Sequence, residues 1–198
     1  RKRGEYEVVE ILSPPRVAER ARERRMRGGW SLDWMVQDPI TKVSWDLRKK
    51  QVLDKVMKML RRDRPDLVVA CRPCRMFSQL QTFNRSRMGE EEFQRMVEHG
   101  VRHVEFCIRL YKIQLEGGRY FLHEHPASAT SWRLTEIQQL MLHPGAVKVV
   151  GHMCAYGMKS IDEKGEGLVK KPTGWMTNSP YIAEHLSALC SNRLSLIH

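Results

Sequence analysis

The order of segments predicts an α/β fold: a doubly wound, mostly parallel sheet flanked by helices. Two observations carry that expectation. Short apolar runs of strand length alternate with amphipathic helical stretches along the chain, the pattern that βαβ units leave in a sequence. Residues 66–71 form an almost continuous apolar run, as a central strand buried on both faces does. The size agrees. A chain of 198 residues with 41% hydrophobic content can fill one domain with its own core, without disulfides or a structural metal.

Residues 1–4 (Arg-Lys-Arg-Gly) read as a basic tail. Residues 6–12 follow as a buried strand, stopped by Ser13-Pro14-Pro15 because proline has no N–H for a ladder. A helix spans about 17–26, crowded with Arg and Glu, and Gly28-Gly29 ends it. Residues 30–33 make a short second strand, and the turn Asp38-Pro39 precedes an extended segment at 43–46. Residues 47–62 hold the clearest helical pattern, with Val52, Val56, Met59 and Leu60 on one face and Lys and Arg opposite. The strand at 66–71 ends in the turn Arg72-Pro73-Cys74. A long helix over 90–115 turns Phe93, Val97, Val101, Val104 and Ile108 inward, and Gly117-Gly118 break it before a strand at 120–122. A helix at 133–142 and a strand at 146–150 come next. Residues 159–172 read as a loop, 174–177 as a last strand and 181–190 as a short helix. Ligands on such sheets sit at the carboxyl ends of strands, so the turns after Leu12, Asp33, Cys71 and Leu122 are expected to line one rim.

Charge and cysteine usage narrow the setting. A net charge of +11 attracts polyanions through long-range steering and counterion release, which makes nucleic acid the expected partner. No run approaches the roughly 20 apolar residues of a membrane span, and no signal-peptide pattern is present. Five scattered cysteines are the usage of a reducing compartment, nuclear or cytoplasmic, where thiols stay free. Cys71 and Cys74 form a Cys-x-x-Cys without a second pair, so no metal ligand set is expected.

The chemistry-bearing segment follows the central strand: Cys71-Arg72-Pro73-Cys74-Arg75-Met76-Phe77-Ser78. A cysteine after proline, in a turn leaving a buried strand, has a fixed backbone and an exposed sulfur. Arg72 and Arg75 beside it favour the thiolate, the nucleophilic form. This segment resembles the Pro-Cys loop of the cytosine-5 DNA methyltransferases, matching it at Pro73, Cys74, Phe77 and Ser78, with Arg72 where a small residue or proline is usual. Phe121-Leu122-His123-Glu124-His125-Pro126 resembles the family's Glu-Asn-Val segment, with Glu124 at the glutamate and His125 and Pro126 replacing the other two residues.

The resemblance implies a methyltransferase (Rossmann-like) type of sheet and S-adenosylmethionine as cofactor. It implies Cys74 as the nucleophile adding to carbon 6 of cytosine, and Glu124 as the acid that hydrogen-bonds N3. The cofactor side would be Ser13 after the first strand, Asp33 at the ribose and Asp46 near the adenine; Pro14 and Pro15 stand where the family has glycines. Arg72, Arg75 and Ser78 would contact nucleic acid, DNA before RNA. The whole chain, 1–198, would be one catalytic domain without a separate target-recognition domain, in a divergent, mobile-element or protist branch. Two functions follow as expectations: methyl transfer to carbon 5 of cytosine in DNA, or a catalytically inactive methyltransferase-like domain that binds nucleic acid within a larger mobile-element protein.

Overall fold

A computed structural model describes residues 4–71, 77, 88–163, 165–190 and 196–197. Within them a six-stranded sheet runs in the order β2-β1-β3-β4-β8-β5, and a small three-stranded sheet in the order β6-β7-β9. The main sheet comprises β1 (Val8–Ile11), β2 (Gly28–Leu32), β3 (Leu67–Cys71), β4 (Tyr120–Pro126), β5 (Val147–His152) and β8 (Pro172–Thr177). β1, β2, β3 and β4 are mutually parallel, while β8 lies antiparallel between β4 and β5. The α/β expectation holds: the sheet is mostly parallel, with β8 reversed between β4 and β5.

Every residue of β1 is buried, because the strand is covered on both faces. On one face Val9, Ile11, Val68, Ala70 and Phe121 join a core shared with helices α2 (Lys50–Asp63), α3 (Glu90–Glu116) and α4 (Thr135–Met141). On the other, Val8 and Val69 pack against Ala21 of α1 (Val17–Glu23). Helices on both faces make the sheet doubly wound. The chain leaves β1 through α1 to β2 on one side, then returns through α2 to β3 on the other. Strand order therefore reverses between β1 and β3, the position where open α/β sheets bind ligands.

Several boundaries differ from the sequence reading, each for a packing reason. Gly28 and Gly29 open β2 instead of only ending a helix. A Cβ on Gly28 would fall 2.0 Å from the Ala18 carbonyl oxygen, and one on Gly29 2.6 Å from the Tyr6 ring, so both glycines are there for close approach. Gly4, read as tail, is buried against the Arg64 carbonyl. α3 buries His103, Val104, Phe106, Cys107, Ile108, Leu110 and Tyr111, whereas Phe93, Val97 and Val101 are only half-buried. Its inward face thus lies in the second half of the helix.

The segment read as a loop at 159–172 forms the antiparallel pair β6 (Lys159–Asp162) and β7 (Gly165–Val169), beside which β9 (Leu196–Ile197) lies. Its mixed charges and glycines hid the strands, because the sequences of β6 and β7 do not alternate apolar with polar residues. The last helix, α5 (Pro180–His185), stops before the expected Cys190. Cys154 and Cys190 are joined in a disulfide, which corrects the expectation that all thiols stay free. Among the described residues no helix is long and apolar enough to cross a membrane.

Candidate active site at the carboxyl rim

The turn after β1 is organised by a residue that the sequence reading passed over. Glu10 is fully buried in the middle of β1, and its carboxylate accepts from Arg16 N at 3.0 Å, Ala18 N at 2.6 Å, Ser13 Oγ at 3.1 Å and Ser31 Oγ at 3.3 Å. One side chain thereby satisfies the opening of α1 and ties β1 to β2. Ser13, expected on the cofactor side, spends its hydroxyl on Glu10 and on the Pro14 carbonyl. The turn itself is made at Leu12, which takes φ 59°. That left-handed conformation is usually left to glycine, so Leu12 makes the bend for which the sequence offers no glycine.

Beyond β2, Asp33 is buried, and its Oδ1 accepts from Met35 N at 3.0 Å. Asp46 is gripped by Arg48, with Nε at 2.7 Å from Oδ1 and Nη2 at 2.9 Å from Oδ2. This two-pronged pairing holds its carboxyl at about 2, well below the usual carboxylate range. The two acids, distant in sequence, line one cleft of about 330 Å³ together with Leu12, Trp34, Trp45 and His103. Its size lies at the small end of small-molecule sites. Trp34 is 71% exposed, an apolar ring left at the edge of this cleft, whereas Trp45 is buried and forms a wall. Two carboxylates able to accept hydrogen bonds, beside two indoles, suit a flat ring that carries hydroxyl or amine donors.

Glu124 lies within β4, not beyond it, and its Cα pairs in register with Cys71, the last residue of β3. Alternation along β4 sets His123 and His125 on the face of α3 and α4, where His123 Nδ1 meets Tyr111 Oη at 2.9 Å and His125 meets Ser131. Leu122 and Glu124 face the other way. Burial pushes the Glu124 carboxyl above its ordinary value, and Lys171, with Nζ 3.7 Å from Oε1, pulls it partly back. Lys171 immediately precedes β8, at the end of the segment read as a loop, and the sequence assigned it no role.

The expected nucleophile Cys74 and the expected nucleic-acid contacts Arg72, Arg75 and Ser78 lie outside the described residues. Phe77 is described: it is buried in the core, 5.8 Å from the His125 ring, and its carbonyl accepts from Thr130 Oγ1 at 3.5 Å. In the Arg-rich stretch 16–27, Arg22 donates to the Gly28 and Gly29 carbonyls and Arg27 to those of Gly4 and Glu5. Part of that basic cluster therefore serves the fold.

A second cavity, of about 460 Å³, opens on the far side of Trp45 along the edge strand β2, lined by Trp30, Asp38, Ile40, Lys55 and Met59 among others. Asp38 is held at about 2 by its contact with Lys55, and Lys55 also lies 4.9 Å from the Trp45 ring centre. The sequence places Asp38 in a turn with Pro39 and gives no sign of a cavity here. Comparison with known protein families and with characterised proteins finds no match for this chain.

Proposed function

We propose that this chain transfers a methyl group from S-adenosylmethionine to carbon 5 of cytosine in DNA. The observation that carries this reading is the position of Glu124. Its burial-raised carboxyl stands opposite the last residue of the strand that leads into Cys74. An acid whose proton is held more tightly than usual is suited to hydrogen-bond N3 of a cytosine as charge develops on the ring. In this reading the Cys74 thiolate adds to carbon 6, carbon 5 takes the methyl group and then loses its proton, and elimination of the thiolate restores the ring. S-adenosylmethionine supplies the electrophilic methyl. Asp33, Asp46, Trp34 and Trp45 would hold its adenosyl part in the cleft beyond the carboxyl ends of β1 and β2. The target base would leave the stack to reach the rim, at a cost of a few kcal/mol in a duplex. The excess of basic residues would hold the phosphates.

A second reading, a methyltransferase-like domain that binds nucleic acid without catalysis, is favoured by one observation. The turn after β1 is closed on itself by Glu10, which occupies the N–H groups that open α1. Titration calorimetry with S-adenosylmethionine, followed by transfer of a labelled methyl group to cytosine-containing DNA, separates the two. Micromolar binding and label in DNA support methyl transfer. Absence of both, with DNA still retained, leaves the non-catalytic reading.

A further inference from the structure

We propose that His152, Cys154 and Cys190, with the two cysteines as free dithiol, bind a Zn²⁺ ion at the end of β5. The three residues arrive from two directions. β5 ends at His152, and the 3₁₀ turn Met153–Tyr156 that follows carries Cys154, which is buried. The segment after α5 is fastened beside them: His152 N donates to the Ala188 carbonyl at 2.9 Å, and Ala188 N to Tyr156 Oη at 3.0 Å. This brings Cys190 alongside, its Sγ 3.6 Å from His152 Nδ1. The three donor atoms all lie within 4.8 Å of one another.

Zinc prefers such a set. Tetrahedral coordination with Zn–S near 2.3 Å and Zn–N near 2.0–2.1 Å places a nitrogen and a sulfur ligand about 3.6 Å apart and two sulfurs about 3.8 Å apart. The His152–Cys190 pair already has that separation. The cysteine sulfurs are joined to each other instead, from Cα atoms 6.1 Å apart. The bonded and the metal-holding forms therefore exclude one another, since each sulfur serves either its partner or the ion. In the dithiol form both thiols release their protons to solvent on binding. Two thiolates and a neutral imidazole then balance the charge of the ion, leaving a fourth position for water or a further group.

The place gives the ion a structural consequence. Met153 N donates to the Lys171 carbonyl at 3.1 Å, so an ion here braces the backbone that carries Lys171 toward Glu124. The cluster was illegible from spacing, because Cys190 is remote from His152 and Cys154 in sequence. This inference is independent of methyl transfer.

The test uses the full chain reduced with a phosphine, loaded with zinc and desalted, with bound metal measured by mass spectrometry. Stoichiometric zinc is expected, lost in His152→Ala and in Cys154→Ser but kept in Cys74→Ser. Reduced wild-type chain that keeps no zinc overturns the proposal, as does zinc kept by folded Cys154→Ser or lost only from Cys74→Ser. A Co²⁺ load of the unmutated chain covers the case in which the variants fail to fold. Tetrahedral visible bands with a near-ultraviolet thiolate-to-cobalt transition are expected, and an octahedral spectrum without that transition overturns the site.

Discussion

Lys171 sets its ammonium 3.7 Å from the carboxylate of Glu124, yet burial still leaves that carboxyl above its ordinary value. The cation offsets only part of the cost of removing the charged carboxylate from water. A raised carboxyl binds its proton more tightly in the folded chain than in the unfolded one. Its contribution to stability is therefore fully present below the unfolded value of about 4.3 and is lost as pH rises through the folded value. Glu124→Gln abolishes this loss. At neutral pH the variant should melt at the same temperature as wild type or higher, with the difference closing on acidification. A variant that melts lower at every pH would place Glu124 in a structural network instead.

The Asp46–Arg48 pair works in the opposite direction. With the Asp46 carboxyl held at about 2, its contribution is present above the unfolded value near 3.9 and fades as pH falls toward 2. Arg48→Ala should return Asp46 toward the ordinary range, readable by carboxyl-carbon NMR titration. An unchanged titration midpoint in that variant would mean that Arg48 is not what holds it.

Glu10 predicts a fold effect rather than a catalytic one. Glu10→Gln turns an amide toward donors that now meet a carboxylate, at a cost of about 2 kcal/mol from the lost charge-assisted bonds. Urea unfolding should show a lower midpoint with an unchanged slope. A midpoint equal to wild type would remove Glu10 as the organiser of the turn after β1.

Asp33 has its Oδ2 uncommitted among the described residues, its bond to Met35 N being made by Oδ1. Asp33→Ala should weaken S-adenosylmethionine binding roughly 10- to 100-fold, the equivalent of losing one or two hydrogen bonds to a charged group. Calorimetry on both proteins gives the ratio. Equal affinities would move the cofactor out of this cleft.

Much of the scaffold was legible because the signals were local. The apolar run at β3 and the one-sided pattern of α2 depend only on residues near in sequence, and both elements formed near their expected positions. Asp33 and Asp46, singled out only through the family resemblance, line one cleft, but no local pattern in the sequence joins them. What stayed hidden needs contacts made only after folding. Glu10 reads as one polar residue in a strand until α1 closes over it. Lys171 sits in a charged stretch with no periodicity, and β6 and β7 lack the alternation that would betray them. Leu12 carries a turn that composition alone assigns to glycine. The reversal of β8 could not be read either, because direction leaves no mark in the sequence of a short strand.

DNA carrying 5-fluorocytosine is the sharpest test of attack by a cysteine thiolate of this chain on carbon 6 of cytosine. Fluorine at carbon 5 leaves no proton to remove after methylation, so elimination of the thiolate is blocked and an attacking protein stays attached. With S-adenosylmethionine present, a denaturation-resistant protein–DNA adduct whose mass includes the methyl group is expected, absent from Cys74→Ala. No adduct with wild type under conditions where DNA binds, or an adduct that survives Cys74→Ala, would contradict it.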